Sequence, residues 1–232
     1  MKHKIKRLVS LLLVVCLAFT FSSCAFIEDL LDRLNNQSPP YEEPAQVFEV
    51  INDNKTSFSQ SELTTTAYES YSSLDSLGRC GVAIASLGKE TMPAPDEERG
   101  SISSVYPSGW VQAKYDIIDG KYLYNRCHLI GWQLSAENAN KRNLITGTRF
   151  FNTEGMLPYE NMVADYIKET SNHVAYRVTP VYEGNNLVCS GVKIEAYSIE
   201  DNGDGLEFNV YCYNYQPGIV IDYRTGESRL AN

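Results

Sequence analysis

Histidine is scarce in this sequence: there are three in 232 residues. His3 lies in the basic N-terminal stretch, so His128 and His173 are the imidazoles left for general-base work near neutral pH. Positive charge is also in short supply. The formal net charge is −9, which argues against a protein that coats nucleic acid by charge alone. After the first twenty-odd residues no apolar run is long enough to span a bilayer. No Cys-x₂₋₄-Cys pair occurs, which weakens any structural zinc site built from Cys127, His128, Cys189 and Cys212. No internal repeat is found.

What is present begins with an export signal. Lys2, Lys4, Lys6 and Arg7 precede an apolar run over residues 8–21, broken only by Ser10 and Thr20. The run is too short for a membrane-spanning helix of about 20 apolar residues, and it reads as a signal peptide over 1–24. It ends in Phe21-Ser22-Ser23-Cys24, which resembles a lipobox and makes Cys24 the candidate lipidation site. An ordinary cleaved signal is the alternative. Residues 25–45, with Pro39-Pro40 and Glu42-Glu43, read as a polar linker, and 46–232 as one domain. The expected location is extracytoplasmic, either secreted or held at the membrane through the lipid anchor. Disulfides are permitted there. Cys80, Cys127, Cys189 and Cys212 allow three pairings, of which Cys189–Cys212 and Cys80–Cys127 are favoured over four free thiols.

Charge is unevenly distributed. Residues 25–113 hold 5 basic and 14 acidic side chains, and residues 150–232 hold 5 and 12. Residues 114–149 reverse the balance, with 6 basic (Lys114, Lys121, Arg126, Lys141, Arg142, Arg149) against 3 acidic. That stretch fits a local phosphate site on an acidic body, with Arg126, Lys141, Arg142 and Arg149 as candidate substrate-binding residues.

Hydrophobic patterning predicts strands over 79–86 and 121–130, separated by a loop rich in Gly, Pro and Ser. Met162, Val163, Tyr166 and Ile167 mark one face of a helix over 157–169, with Pro158 in its first turn. Strands over 174–182, 187–199 and 206–214 follow, the last two joined by the turn Asp201-Asn202-Gly203-Asp204-Gly205. The order implies an α+β fold with an antiparallel sheet and one main helix.

His128 ends an apolar strand next to Arg126. Asn143 and Asn152 follow it by 15 and 24 residues, and Glu160 follows Asn152 by eight. Eight residues is two helical turns, so Asn152 and Glu160 can share a helix face. A base, amide and carboxylate oxygens and a guanidinium are what metal-assisted phosphodiester hydrolysis needs. Mg²⁺ keeps several waters, so one Asn ligand can suffice. Arg149, just before Asn152, offers a planar fork to phosphate oxygens. The plainer reading is that the Asn and Glu residues only cap the helix or face water.

Tyr124-Asn125-Arg126-Cys127-His128-Leu129-Ile130-Gly131, followed by the run from Asn143 to Asn152, resembles the DNA/RNA non-specific endonuclease family of ββα-metal (His-Me finger) nucleases. That family carries Asp-Arg-Gly-His and then two Asn nine residues apart, as Asn143 and Asn152 are here. The resemblance implies His128 as general base, Asn152 as direct metal ligand and Asn143 as a supporting catalytic residue. It implies Glu160 as a water-mediated metal partner with Glu154 as a rival, and Arg126 on phosphate or bracing the finger. It further implies Mg²⁺ (with Mn²⁺ as a substitute), DNA and/or RNA as substrate, and a 5′-phosphate product. Two positions depart from the pattern: Asn125 replaces the motif Asp, and Cys127 replaces the motif Gly. Competing readings are a cysteine enzyme using Cys127, and a catalytically weak lipoprotein that binds nucleic acid or a surface partner.

Overall fold

The computed structural model describes residues 43–231. The signal segment, Cys24 and the linker as far as residue 42 lie outside the described residues.

Six strands form one antiparallel sheet: β1 (Phe48–Val50), β2 (Tyr68–Tyr71), β3 (Ala83–Leu87), β6 (Val174–Val181), β7 (Gly191–Ser198) and β8 (Glu207–Tyr213), in the order β1-β8-β7-β6-β3-β2. Two ribbons stand apart from it. One pairs β4 (Tyr124–His128) with β5 (Leu144–Thr148), and the other pairs β9 (Ile219–Ile221) with β10 (Ser228–Leu230). The short helix α1 (Trp132–Ser135) lies in the β4–β5 connection, and the main helix α2 (Leu157–Thr170) follows β5. The architecture is α+β, as expected.

The strongest patterns give the clearest elements. Helix α2 buries Tyr159, Val163, Ala164 and Ile167, and these join Tyr176, Val192, Ile194, Phe208 and Val210 of the sheet in one core. The predicted meander is found as β6, β7 and β8. The Asp201 turn closes β7 onto β8, with Asn202 and Gly203 at φ +57° and +84°. Asp201 accepts hydrogen bonds from the Gly205 N–H at 3.1 Å and the Tyr166 hydroxyl at 2.7 Å. This is a turn stapled to α2.

The disulfide expectation is corrected: Cys80, Cys127, Cys189 and Cys212 are all free and buried. Their thiols point to different neighbours. Cys80 Sγ donates to the Leu144 carbonyl at 3.2 Å and Cys212 Sγ to the Gly155 carbonyl at 3.4 Å. Cys189 Sγ accepts from the Asn214 amide at 3.7 Å. Across the β7–β8 ladder the partner of Cys212 is Val192 rather than Cys189. Burial raises the thiols of Cys80 to about 11 and of Cys189 and Cys212 to about 12.

Candidate active site

The β4–β5 ribbon and the helix that follows it form one corner of the molecule, and both wall a cavity of about 850 Å³. Asn125, Arg126 and His128 enter it from β4, Arg149 and Asn152 from the chain after β5, and Glu160 from α2.

Proline chemistry sets up the helix side. Pro158 has no N–H to give to the carbonyl four residues back, and its ring crowds that carbonyl. The chain answers with a wide turn over Phe151–Met156, in which the Leu157 N–H bonds to the Asn152 carbonyl, five residues back. This has a geometric consequence. Eight residues of regular α-helix overshoot two turns by about 80°. The wide turn absorbs most of that offset, so Asn152 and Glu160 face the same cavity. Glu154 is exposed and is not part of the lining, so Glu160 is the carboxylate that shares the cavity with Asn152.

Glu160 reaches the cavity over Gly131. A Cβ at Gly131 would stand 2.7 Å from Glu160 Oε2, so a side chain there would push the carboxylate from this position. Burial raises the Glu160 carboxyl to about 7, against the lowering effects of Arg99 and a bond from Gln133.

His128 is 6% exposed. Its Nε2 lies 2.7 Å from the Asn138 carbonyl oxygen. A carbonyl can only accept, so Nε2 carries the proton and Nδ1 holds the lone pair. Arg99 Nη2 donates to that Nδ1 at 3.2 Å. Burial lowers the imidazole to about 4; the Asn138 bond opposes the shift and the Arg99 charge adds to it. His128 is therefore neutral at pH 7, with a defined tautomer and its basic nitrogen turned toward Arg99. Sequence reasoning missed both Arg99 and Asn138. Arg99 sits within a loop that has no periodic pattern, and Asn138 contributes through its main chain, which no residue type reveals.

Asn143 does not line the cavity. It is fully buried, with Oδ1 accepting from the Ile130 N–H at 2.9 Å and Nδ2 donating to the Ile130 carbonyl at 3.0 Å. It locks the backbone between His128 and Gly131, which makes it a positioning residue. Lys141 and Arg142 are exposed on the loop before it and are also outside the lining. The cavity's cations are Arg99, Arg126 and Arg149. Arg149 pairs with Asp119 at 2.7 Å on the exposed rim. Arg126 is fixed by the carbonyls of Val105 and Ser103. Its guanidinium carbon lies 4.1 Å from the Trp110 ring centre, so it braces the 101–110 loop, and among the described residues it pairs with carbonyls and a ring, not with a carboxylate.

The two departures from the family pattern have different standing. Cys127 is wholly buried in regular strand. A Cβ on Gly147, in the facing strand, would come within 2.5 Å of Cys127 Sγ, so the bare glycine at 147 leaves the room that the Cys127 thiol fills. Burial pushes the Cys127 thiol well above its ordinary value, which makes it a poor nucleophile. Asn125 lines the cavity and keeps an acceptor without a charge.

The donor set suits a hard divalent cation. Asn152 presents an amide to which no other described residue is bonded, and Glu160 presents a half-buried carboxylate whose ionisation a cation would favour. Among the described residues no cluster of three or more His, Cys, Asp or Glu could hold a metal. A site of one amide, one carboxylate and several waters is the kind Mg²⁺ accepts.

A family model described as DNA/RNA non-specific endonuclease matches residues 59–200. Among solved structures, the chain is similar to NucA from Streptococcus agalactiae with magnesium bound, at 27% identity and a TM-score of 0.68, covering 78% of this chain and 87% of that one. The metal-free form of the same protein gives 27% and 0.67, over 78% and 86%. Sda1 nuclease with a bound zinc ion gives 25% identity and a TM-score of 0.65, over 78% of this chain and 95% of that one.

Proposed function

The chain belongs to the DNA/RNA non-specific endonuclease family and is a nuclease, and we propose that it hydrolyses DNA and/or RNA in a metal-dependent reaction with His128 as general base. The observation that carries this reading is the His128 tautomer: a buried neutral imidazole with Nε2–H fixed on Asn138 and its lone-pair Nδ1 facing Arg99 in the cavity wall. That arrangement takes a proton at one defined atom.

His128 Nδ1 draws the proton from a water placed before it. The Arg99 guanidinium now stands at that position. An incoming phosphate offers Arg99 a stronger, bidentate partner, which frees Nδ1 and relieves one of the effects that lower its basicity. Arg126, held by two carbonyls and a ring, keeps a fixed positive charge for the phosphate oxygens. Arg149 adds a third cation once Asp119 releases it. Asn152 and Glu160 would hold a divalent cation, which when bound supplies charge neutralisation on the phosphate and the leaving oxygen. NucA carries magnesium and Sda1 carries zinc in the neighbouring structures; Mg²⁺, with Mn²⁺ as a substitute, fits this oxygen donor set best. An extracytoplasmic location, with Cys24 as lipid anchor, rests on the N-terminal sequence alone.

The test is plasmid nicking and RNA degradation by the full chain, with Mg²⁺ and with chelator, for wild type and His128→Ala. Cleavage abolished by both chelator and substitution is the expected result. A folded wild type that binds nucleic acid without turnover in Mg²⁺ and Mn²⁺ would instead favour the weak or inactive binding protein, with Asn125 the first residue to restore to Asp.

A further inference from the structure

Glu160 brings its carboxylate to the cavity on a long side chain with several rotatable bonds, and helix α1 is where that side chain is fixed. Gly131, at the N-terminal end of α1, leaves the space that Glu160 Oε2 occupies; a Cβ there would stand 2.7 Å from it. Two residues further on, Gln133 lines the same cavity and hydrogen-bonds the Glu160 carboxylate. The next two residues, Leu134 and Ser135, are buried. Helix α1 is thus anchored through one face and presents Gln133 to the cavity from another.

A glutamine amide nitrogen carries two hydrogens, and here both have a use. Besides the bond to Glu160, Gln133 Nε2 donates to Asn161 Oδ1 at 3.0 Å. Asn161 follows Glu160 on α2, so one amide spans two consecutive positions of that helix. Glutamine is among the side chains that lose most rotamer freedom when ordered. The bond to Asn161 already orders it, so Glu160 meets a donor that is in place.

The chemistry of the donor suits a metal partner. Arg99 already bears on Glu160, and a lysine in place of Gln133 would bring a second positive charge to compete with a divalent cation. A neutral amide orients the carboxylate and leaves its charge available. Small hard cations demand near-ideal octahedral geometry, and the groups that orient their ligands are themselves costly to remove. We infer that Gln133 is a positioning residue of the metal site, aiming Glu160 through the chain Asn161–Gln133–Glu160. The inference rests on the reading that Asn152 and Glu160 hold the metal, and adds to it the side chain that sets the carboxylate.

Mn²⁺ is paramagnetic, so the resonance signal of the free ion reports binding without substrate or turnover. The full chain is titrated with Mn²⁺ at pH 8 as wild type, Glu160→Gln, Gln133→Ala and Asn161→Ala. Gln133→Ala should raise the Mn²⁺ dissociation constant roughly tenfold or more, and Asn161→Ala by a smaller factor. Both should melt within about 2 °C of wild type in chelator, since the bonds lost lie at the surface. Plasmid nicking by Gln133→Ala should be weak at low Mn²⁺ and recover as Mn²⁺ is raised, because the reacting groups stay in place. A Gln133→Ala variant that folds and binds Mn²⁺ as tightly as wild type overturns the inference and leaves the nuclease reading standing. Should Gln133→Ala melt well below wild type, Asn161→Ala decides, being an exposed helix position outside the cavity lining; unchanged Mn²⁺ affinity there overturns the chain. A wild type that binds Mn²⁺ no better than Glu160→Gln removes Glu160 from the metal site, and this inference with it.

Discussion

His128 lies under the guanidinium of Arg99 at the end of β4, whereas His173 lies between the carboxylates of Glu90 and Glu200 at the entry to β6. The first is buried, neutral and aimed into a cavity. The second is pinned from both ring nitrogens, at 2.6 Å to Glu200 and 2.9 Å to Glu90, and has no lone pair left to offer once protonated. One residue type thus takes two charge states, and its surroundings decide which. Burial, with a cation added beside the ring, favours the neutral imidazole of His128; two anions favour the imidazolium of His173.

The contrast breaks most visibly in catalysis. His128→Ala should cost roughly 10²–10⁴ in kcat, while His173→Ala leaves kcat unchanged. A plasmid-nicking time course on both variants checks this, and equal losses would mean that the two environments do not separate the roles.

A second prediction concerns the brace behind His128. Asn143→Leu removes both partners of the Ile130 main chain, leaving a buried N–H and a buried C=O unpaired at about 1–3 kcal/mol each. Denaturant unfolding should show a loss of about 2–4 kcal/mol. Activity per folded molecule should fall too, because the Gly131 α-carbon that accommodates Glu160 is no longer fixed. Stability lost with kcat intact would reduce Asn143 to a core residue.

Much of this site was legible in the sequence, for reasons that differ by residue. His128, Asn152 and Glu160 were readable because a strand end, a spacing of eight and a helical stripe are all local patterns. The meander β6–β8 was readable because its strands are long and its turn is rich in Asn, Asp and Gly. β5 was not, since a short buried run such as Leu144–Thr148 lacks alternation. β1 and β2 pair only at the sheet edges, where few residues carry the signal. Lys141 and Arg142 were grouped with the cavity because charge was counted along the chain, while the fold turns their loop away from it. The disulfides failed because adjacency of strands does not fix which residues face each other. Arg99 was invisible because its contact with His128 spans 29 residues of sequence and a patternless loop.

Glu160 sharpens the comparison from the carboxylate side. Its carboxyl is raised from 4.5 to about 7, the opposite of the lowered carboxyls of Glu90 and Glu200 that hold His173. A raised carboxyl makes the folded state bind the proton more tightly than the unfolded chain does. Stability is then lost as pH rises from about 4.5 to about 7 and stays lost above that. At pH 8 in chelator, Glu160→Gln should melt higher by roughly 5 °C, and the gain should vanish at pH 4. Added Mg²⁺ should raise the melting temperature of wild type but not of the variant. A variant that melts lower at pH 8 would show that Glu160 is a structural anion.

The smallest effect tests the His173 clamp itself. Burial works against the imidazolium, but the bonds to Glu200 and Glu90 outweigh it and raise the His173 pKa above 6.5. The folded state therefore binds this proton more tightly than the unfolded chain. The clamp contributes in full below the unfolded value near 6.5 and fades as pH climbs through the raised folded value. At the acid end it fades again as Glu90 and Glu200, whose carboxyls are lowered from 4.5, become protonated. His173→Gln should therefore destabilise most near pH 5.5, by about 1 kcal/mol at low salt, and little by pH 9. Melting curves of wild type and variant across that range read the difference directly. A difference that does not vary with pH would assign His173 to packing, and the two histidines would then differ in burial alone.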